Sequence, residues 1–231
     1  MKRFEQTLER IDRMLASMTN RVDLIRSLYE NGSMEPCYVQ TLRLEENAER
    51  LTLQARSLPV YTGSRSAPDD VEQTIHDVIP VEMGFTEEGW FCLRIPMLLP
   101  KKESGSVDWL RGFLYPAMSR FFMGKQPVRY PDCVLIYRHV YARDCPERQW
   151  RDHDNIEINF VTDAVALYLM PDDNPTVCRH YYCSAAGEQE RTEVYVVPRG
   201  EFICWLESEE SIPEDSKILY EIRPNSTEKH T

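Results

Sequence analysis

The chain has no run of apolar residues that approaches the roughly 18 required by a membrane-spanning helix. Its first residues, Met1 to Glu5, lead directly into a charged helical pattern without the apolar core of a secretory signal. We therefore expect no membrane partner and a cytoplasmic location. The sequence also lacks a glycine-rich phosphate loop, a nucleophilic Ser or Cys motif and an internal repeat. None of these common signatures therefore assigns a function.

The cysteines show no paired spacing that would indicate a disulfide framework. There are seven of them, an odd number, and without a secretory signal they are expected to be reduced thiols. Cys178, His180 and Cys183 faintly resemble a metal site, but their spacing does not suit a zinc pair. The segment is typical of a strand, in which Cys178 and His180 share a face, so we expect a structural role for it.

The chain also lacks a positive charge excess. It contains 27 Lys and Arg against 38 Asp and Glu, a net charge of -11, which argues against general nucleic-acid binding. From Phe91 to Leu206, however, 14 basic residues nearly balance 15 acidic ones. The acidity lies in the flanks, and a nucleic-acid partner remains compatible with the middle of the chain.

Two apolar repeats at helical spacing occupy the N-terminal quarter. The first runs over residues 4 to 29 with alternating steps of four and three, and the second runs from Leu44 to Leu58. Asn31-Gly32-Ser33 and Pro59 end the two patterns, which predicts an antiparallel helical hairpin over residues 1–58. The hairpin is either a structural or dimerising support or a surface for another protein. The first repeat consists of Phe4, Leu8, Ile11, Leu15, Met18, Val22, Ile25 and Tyr29.

The rest of the chain predicts an α+β fold, with helices packed on a mainly antiparallel sheet. We expect a linker over residues 59–70, a body over 71–206 and an acidic mobile tail over 207–231. Pro116 is expected to kink or divide the helix that contains it. The predicted elements are strands at 72–82 and 90–95 forming a hairpin, a helix at 107–123, a strand at 133–141, a polar loop at 142–149, a helix at 154–169, a strand pair at 177–184 and 192–197, and a short strand at 201–206.

An acidic pattern in the second half is the main candidate for chemistry. Asp152 and Asp154 open an apolar, helix-like segment, and Asp172 and Asp173 follow it directly behind a proline. Carboxylates that converge from both ends of one element can hold Mg²⁺, which takes few carboxylates and keeps several waters. Such an ion activates water and neutralises charge on a phosphate. The alternative is a solvated helix N-terminus, where Asp is favoured by free N–H groups and by the helix dipole.

The same stretch resembles a known family. Arg151-Asp152-His153-Asp154-Asn155-Ile156, then Asp163-Ala164, then Asp172-Asp173 and Val177, is similar to the signature of the RusA-type Holliday junction resolvases. In that family an Asp-x-Asp-Asn opens a helix, an Asp-Ala lies in its second half, and an Asp-Asp pair follows. The preceding strand, helix and strand also match. The resemblance covers about residues 88–200 and leaves out the helical hairpin, the linker and the tail.

This resemblance implies a homodimeric endonuclease that cuts branched DNA and depends on Mg²⁺, with Mn²⁺ as a substitute. The family's metal-binding and catalytic carboxylates would fall on Asp152, Asp154 and Asp173. Asn155 and Asp172 would orient the site. Basic residues that would support the site or contact phosphates are Arg151, Lys101, Lys102, Arg111 and Arg179.

The sequence departs from the family at Ile158, where the family places a catalytic Lys. Arg151, Arg179 or Lys101 would have to supply the missing cation, because such charge stabilisation is a large part of the barrier. One alternative is therefore a RusA-derived protein that binds nucleic acid or protein without catalysis. Another is a structural interaction protein built on the helical hairpin. His153 is expected to be an exposed spacer, with proton transfer or metal binding as its alternative role.

Overall fold

The computed structural model describes residues 2–102, 105–146, 150–209 and 219–224. It has the predicted α+β class, with a five-stranded, mostly antiparallel sheet. The chain forms two compact units. The first holds α1, α2, most of α3 and the start of α4, and the second holds the rest of α4, the sheet, α5 and α6. The elements are α1 (Lys2–Glu30), α2 (Met34–Ser57), α3 (Ala67–Val78), β1 (Glu82–Phe85), β2 (Phe91–Ile95), α4 (Ser106–Phe122), β3 (Cys133–Ala142), α5 (Asn159–Leu169), β4 (Cys178–Gly187), β5 (Arg191–Pro198) and α6 (Phe202–Glu209).

The predicted helical hairpin is confirmed by α1 and α2. Gly32 forms the turn between them in a left-handed conformation, with φ of 70°, which glycine adopts without a steric penalty. The helices are antiparallel, since the Arg21 guanidinium donates to the Gln40 side chain at 2.6 Å and the Cys37 thiol donates to the Ile25 carbonyl at 3.8 Å.

Only half of the predicted heptad seam is used within the hairpin. Ile11, Met18 and Ile25 are half-buried, as expected for side chains that pack between two helices. The other half remains exposed, and its members follow one another at steps of seven. This set is Leu8, Leu15, Val22 and Tyr29, and we call it the α1 stripe.

The region after the hairpin differs from the predicted linker and strand. Pro59–Thr62 forms a 3₁₀ turn, and α3 replaces both the end of the linker and most of the strand predicted at 72–82. Asp69 and Asp70 lie in the first turn of α3, where the helix dipole favours negative charge. Val71 and Ile75 are then four residues apart on one face, a helical spacing that the strand prediction overlooked.

The sheet has the strand order β1-β2-β5-β3-β4. The strands predicted near 90–95 and 133–141 are confirmed as β2 and β3, and β1 is shorter and later than predicted. The predicted strand pair near 177–197 is wrong as a pair, because β3 lies between β4 and β5. β4 runs parallel to β3, and α5 makes the crossover that parallel strands require. β3 is buried over nearly its whole length, which suits a strand with neighbours on both edges.

Three further predictions need correction. The strand predicted at 201–206 is α6, where Phe202, Trp205 and Leu206 recur at helical spacing and pack on the core. Of the two outcomes predicted at Pro116, a kink or a division, division does not occur, because α4 continues through this residue. The predicted mobile tail is partly structured, since Tyr220 exchanges two backbone hydrogen bonds of 2.8 Å with Phe85.

Parts of two predicted segments lie outside the described residues. These are residues 147–149 of the polar loop and residues 210–218 and 225–231 of the tail. Within the described residues, no helix combines the length and apolar character needed to cross a bilayer.

Candidate acidic site

Of the first two predicted carboxylates, Asp152 directly precedes and Asp154 lies within a 3₁₀ turn, His153–Asn155, that comes after β3 in the chain. The His153 ring points inward and stacks on the ring of His139 from β3, with centroids 5.4 Å apart, and on Tyr182 from β4 at 5.5 Å. His153 is therefore half-buried, and its prediction as an exposed spacer is wrong. Its neighbours Asp152 and Asp154 are exposed. The inward histidine thus anchors the turn and leaves both carboxylates accessible.

The helix after this turn begins later than predicted. Residues 156–158 precede α5, which starts at Asn159 instead of Asp154. The segment is held by the loop after β2, because the Lys102 amide donates to the Asn155 carbonyl and the Glu157 amide donates to the Pro100 carbonyl, both at 2.9 Å. The Glu157 carboxylate then accepts a hydrogen bond from the Phe160 amide at 3.4 Å, and so satisfies a free N–H group at the helix start.

Asp163 on α5 and Asp173 in the loop after α5, both exposed, form a carboxylate pair. Burial raises the pKa of Asp163, and the Asp173 carboxylate raises it further by charge repulsion and by a hydrogen bond; Glu157 adds to the repulsion. Two carboxylates that share a site favour either a retained proton or a bound cation. The sequence pattern included Asp163 but did not assign it to the site, so Asp163 is the residue that sequence reasoning missed.

Asp172 has a local role in the same loop. Its carboxylate accepts hydrogen bonds from the Asp173 amide at 2.8 Å and from the Asn174 side chain at 2.6 Å. Both hydrogen bonds lower the pKa of Asp172, and the bond from the Asn174 side chain has the larger effect. Asp172 therefore stays ionised and shapes the loop that carries Asp173, which is compatible with its predicted orienting role.

The described residues do not place three or more His, Cys, Asp or Glu side chains together as a metal site. Of the predicted ligands, Asp173 meets Asp163, and no described hydrogen bond or ion pair links it to Asp152 or Asp154. A preformed cage is not needed for Mg²⁺, which proteins usually bind through one or two carboxylates together with waters and substrate phosphates. The donor set around Asp163 and Asp173 therefore fits such an ion, and the three-aspartate magnesium site stays a prediction.

The predicted basic residues are mostly engaged in the fold. The Arg151 guanidinium donates to the Leu99 carbonyl at 2.6 Å, and Arg179 pairs with Asp132. The Arg111 guanidinium lies 5.6 Å from the Phe160 ring centroid, in a cation–π contact at the start of α5. Lys101 forms an isolated antiparallel bridge with Ile156, and Lys102 is exposed beside it. Lys101, Lys102 and Arg111 thus approach the segment that carries the acidic turn.

Ile158 occupies a core position. It is only 6% exposed, and its carbonyl accepts hydrogen bonds from the Tyr137 hydroxyl at 3.1 Å and from the Thr162 hydroxyl at 3.0 Å. The side chain at this position therefore packs inward, and a cation for the acidic site would have to come from another element.

The comparison with protein families covers both units. A family model described as "Family of unknown function (DUF6100)" matches residues 1–223. The chain belongs to the DUF6100 family. No curated protein matches it in sequence. The DUF6100 match includes the helical hairpin as well as the sheet. The hairpin is therefore part of what defines this family, and it enters any account of what the protein does.

Proposed function

We propose that this DUF6100 protein is a RusA-like endonuclease that uses Mg²⁺ to cut branched DNA. The observation that carries the proposal is the hydrogen-bonding contact between the carboxylates of Asp163, on α5, and Asp173, in the loop after it. A divalent cation relieves the repulsion between two carboxylates. The pair lies at the end of a motif whose spacing resembles that of the RusA family. In this proposal the exposed Asp152 and Asp154, before α5, are further oxygen ligands.

In this proposal the residues have separate tasks. Asp163 and Asp173 hold the cation, and Asp172 keeps the loop behind α5 in place through its hydrogen bonds. When bound, Mg²⁺ would neutralise charge on the scissile phosphate and lower the pKa of an attacking water. Lys101, Lys102 and Arg111 are the candidates for contacts to the DNA backbone, where each cation displaces counterions.

The proposal is tested by incubating the protein with a synthetic four-way DNA junction or the matching linear duplex, in Mg²⁺ or Mn²⁺. We expect cutting of the junction and little cutting of the duplex. Asp173→Asn and Asp154→Asn should each lose most of this activity, because each removes a carboxylate from the site. Asp69→Asn, which removes an equal charge from the start of α3, should cut like the wild type. Equal cutting by all variants, or no junction cutting by the wild type, would contradict the proposal.

A second candidate function is junction binding without cleavage. The burial of Ile158 favours it, since the position where the RusA family has its catalytic Lys here belongs to the core. In the same experiment this candidate predicts retarded mobility of the four-way junction, with no cut product in either metal. It also predicts that binding weakens as salt rises, because phosphate contacts release counterions.

We also propose that a second copy of the chain covers the α1 stripe in an antiparallel arrangement. If Leu15 packs against Val22 of the partner subunit, and Leu8 against Tyr29 of the partner subunit, then Asp12 comes beside Arg26 of the partner subunit. This pairing occurs twice by the two-fold symmetry, so the charges as well as the apolar side chains are complementary. A dimer would suit a four-way junction, which presents equivalent strands in pairs.

The dimer predicts a specific effect of charge on the α1 stripe. Leu15→Glu should raise the dimer dissociation constant by at least about tenfold, because it buries a carboxylate in an apolar contact. Leu24→Glu is the matched control, because Leu24 lies on the same helix off the stripe and is 45% exposed against 48% for Leu15. Analytical ultracentrifugation over a range of protein concentrations measures the dimer dissociation constants of both variants and of the wild type. Equal dissociation constants for the two variants, or a wild type that is monomeric throughout, would rule out this interface. Another protein would then be the candidate occupant.

A further inference from the structure

Two cysteines face each other on neighbouring strands of the sheet. Cys133 begins β3, Cys178 begins β4, and the two residues are direct partners in the parallel register. Paired residues of adjacent strands point to the same face of a sheet, and strands lie about 4.8 Å apart. A disulfide requires Cα atoms about 4.4–6.8 Å apart. The backbone therefore places Cys133 and Cys178 at a separation that a disulfide can bridge.

The surroundings of the two thiols shift their pKa values in opposite directions. The hydrogen bond from Cys133 lowers the pKa of the Cys178 thiol, and His180 on the same strand face lowers it further, against the effect of burial. The same hydrogen bond and burial raise the pKa of Cys133. The pKa of Cys178 is thus lowered while that of Cys133 is raised, and the Cys178 thiol donates to the Arg179 carbonyl at 3.7 Å. Both are buried, but β4 is the edge strand of the sheet and His180, two residues from Cys178, is exposed.

We propose that Cys133 and Cys178 form a thiol–disulfide exchange site that takes small disulfides as substrates. Cys178 attacks and Cys133 resolves. The register of β3 and β4 carries the proposal of the site, because it holds the two thiols directly opposite each other. Among the described residues all seven cysteines are free thiols, so the site is in its reduced form.

The exchange proceeds in two balanced steps. The Cys178 thiolate attacks one sulfur of the small disulfide, so that a mixed disulfide forms and one small thiolate leaves and takes up a proton. The Cys133 thiol then loses its proton and attacks the Cys178 sulfur, which joins the two cysteines and releases the second small thiol. The two cysteine thiols lose two electrons, and the small disulfide gains them.

The test exposes the full-length protein to bis(2-hydroxyethyl) disulfide, a small neutral disulfide, and maps the products by peptide mass spectrometry. We expect a Cys133–Cys178 link in the wild type. Cys133→Ser should instead accumulate the mixed disulfide on Cys178, because the resolving thiol is gone. Cys178→Ser should leave Cys133 unmodified. These two outcomes separate the attacking thiol from the resolving thiol.

Cys92→Ser is the matched control. Cys92 is also a buried strand cysteine, and burial raises its pKa to about 12, but its register partners are Gly84 and Tyr195 instead of another cysteine. This variant should form the same link at the same rate as the wild type. The cysteine links found in the wild type decide the proposal, because the wild type carries no substitution that could impair folding. No link, or links that join other cysteines equally often, would overturn it.

Discussion

Replacing Glu193 with alanine is expected to lower the free energy of unfolding by about 3–5 kcal/mol, the cost of leaving a buried charge without its partner. Glu193 is 2% exposed on β5. Its carboxylate accepts hydrogen bonds from Arg191 at 2.7 Å, from Arg138 at 2.9 Å and from the Tyr195 hydroxyl at 3.0 Å. Arg138 is buried too, and its Nε has no partner among the described residues. Without Glu193 the Arg138 guanidinium would be buried and unpaired.

Urea unfolding of Glu193→Ala measures this effect, and Glu82→Gln is its control. Glu82 also accepts a hydrogen bond from an arginine, Arg94, at 3.4 Å, but Glu82 is exposed, so the control should lose less than about 1 kcal/mol. Burial alone would raise the pKa of Glu193, but Arg138 and Arg191 outweigh it and lower the pKa below 4.5. The contribution of Glu193 should therefore be present above pH 4.5 and be lost as the pH falls below it. Equal losses of unfolding free energy in Glu193→Ala and Glu82→Gln would contradict the importance of the buried bonds between Glu193 and its partners.

Acidification from pH 6.5 to pH 4 is expected to remove about 3 kcal/mol of stability through His139 alone. The residue is 1% exposed, and neither ring nitrogen has a hydrogen-bond partner among the described residues. Burial, together with the nearby charges of His153 and Arg151, lowers the pKa of His139 from 6.5 to about 4. In this window the unfolded chain binds a proton at His139 and the folded chain does not. Stability therefore falls as the pH falls.

His139→Phe should remove this pH dependence, because phenylalanine keeps a ring against His153 and has no proton to bind. It should also be as stable as the wild type or more stable at pH 7, since it removes two unsatisfied buried nitrogens. Urea titrations at several pH values between 4 and 7 measure both effects. His76→Gln is the control, and its free energy of unfolding should depend on pH as that of the wild type does. If the free energy of unfolding of His139→Phe depended on pH as that of the wild type does, His139 would not be the titrating group.

The parts of the fold that were predictable have a strong local pattern. The α1–α2 hairpin follows from a repeat at steps of four and three, and β3 follows from a continuous apolar and aromatic run. The strand order does not follow from local sequence patterns, because β3 lies between β4 and β5 although these two strands are consecutive in the sequence. α3 and α6 are short, and a few apolar residues do not distinguish a short helix from a strand.

The candidate site was predictable in composition but not in arrangement. The sequence pattern placed Asp152, Asp154 and Asp173 together, which stays a prediction. The contact that the structure describes is between Asp173 and Asp163, which the pattern left out of the site. The start of α5 at Asn159 instead of Asp154 accompanies long-range hydrogen bonds between the segment before it and residues 100 and 102, which no local rule reveals. The inward position of His153 has the same origin, since its stacking partners come from β3 and β4.

We propose that the carboxylates of Asp163 and Asp173 hold a divalent cation, and a Mn²⁺-binding measurement tests this proposal. Electron paramagnetic resonance measures the free Mn²⁺ that remains when protein is added at pH 7, with Mg²⁺ as the competitor. We expect the wild type and Asp69→Asn to bind Mn²⁺ equally and to release it to Mg²⁺. Asp173→Asn and Asp163→Asn should bind at least about tenfold more weakly, the effect of losing about 1.4 kcal/mol. No binding by the wild type, or equal binding by all four proteins, would contradict the claim.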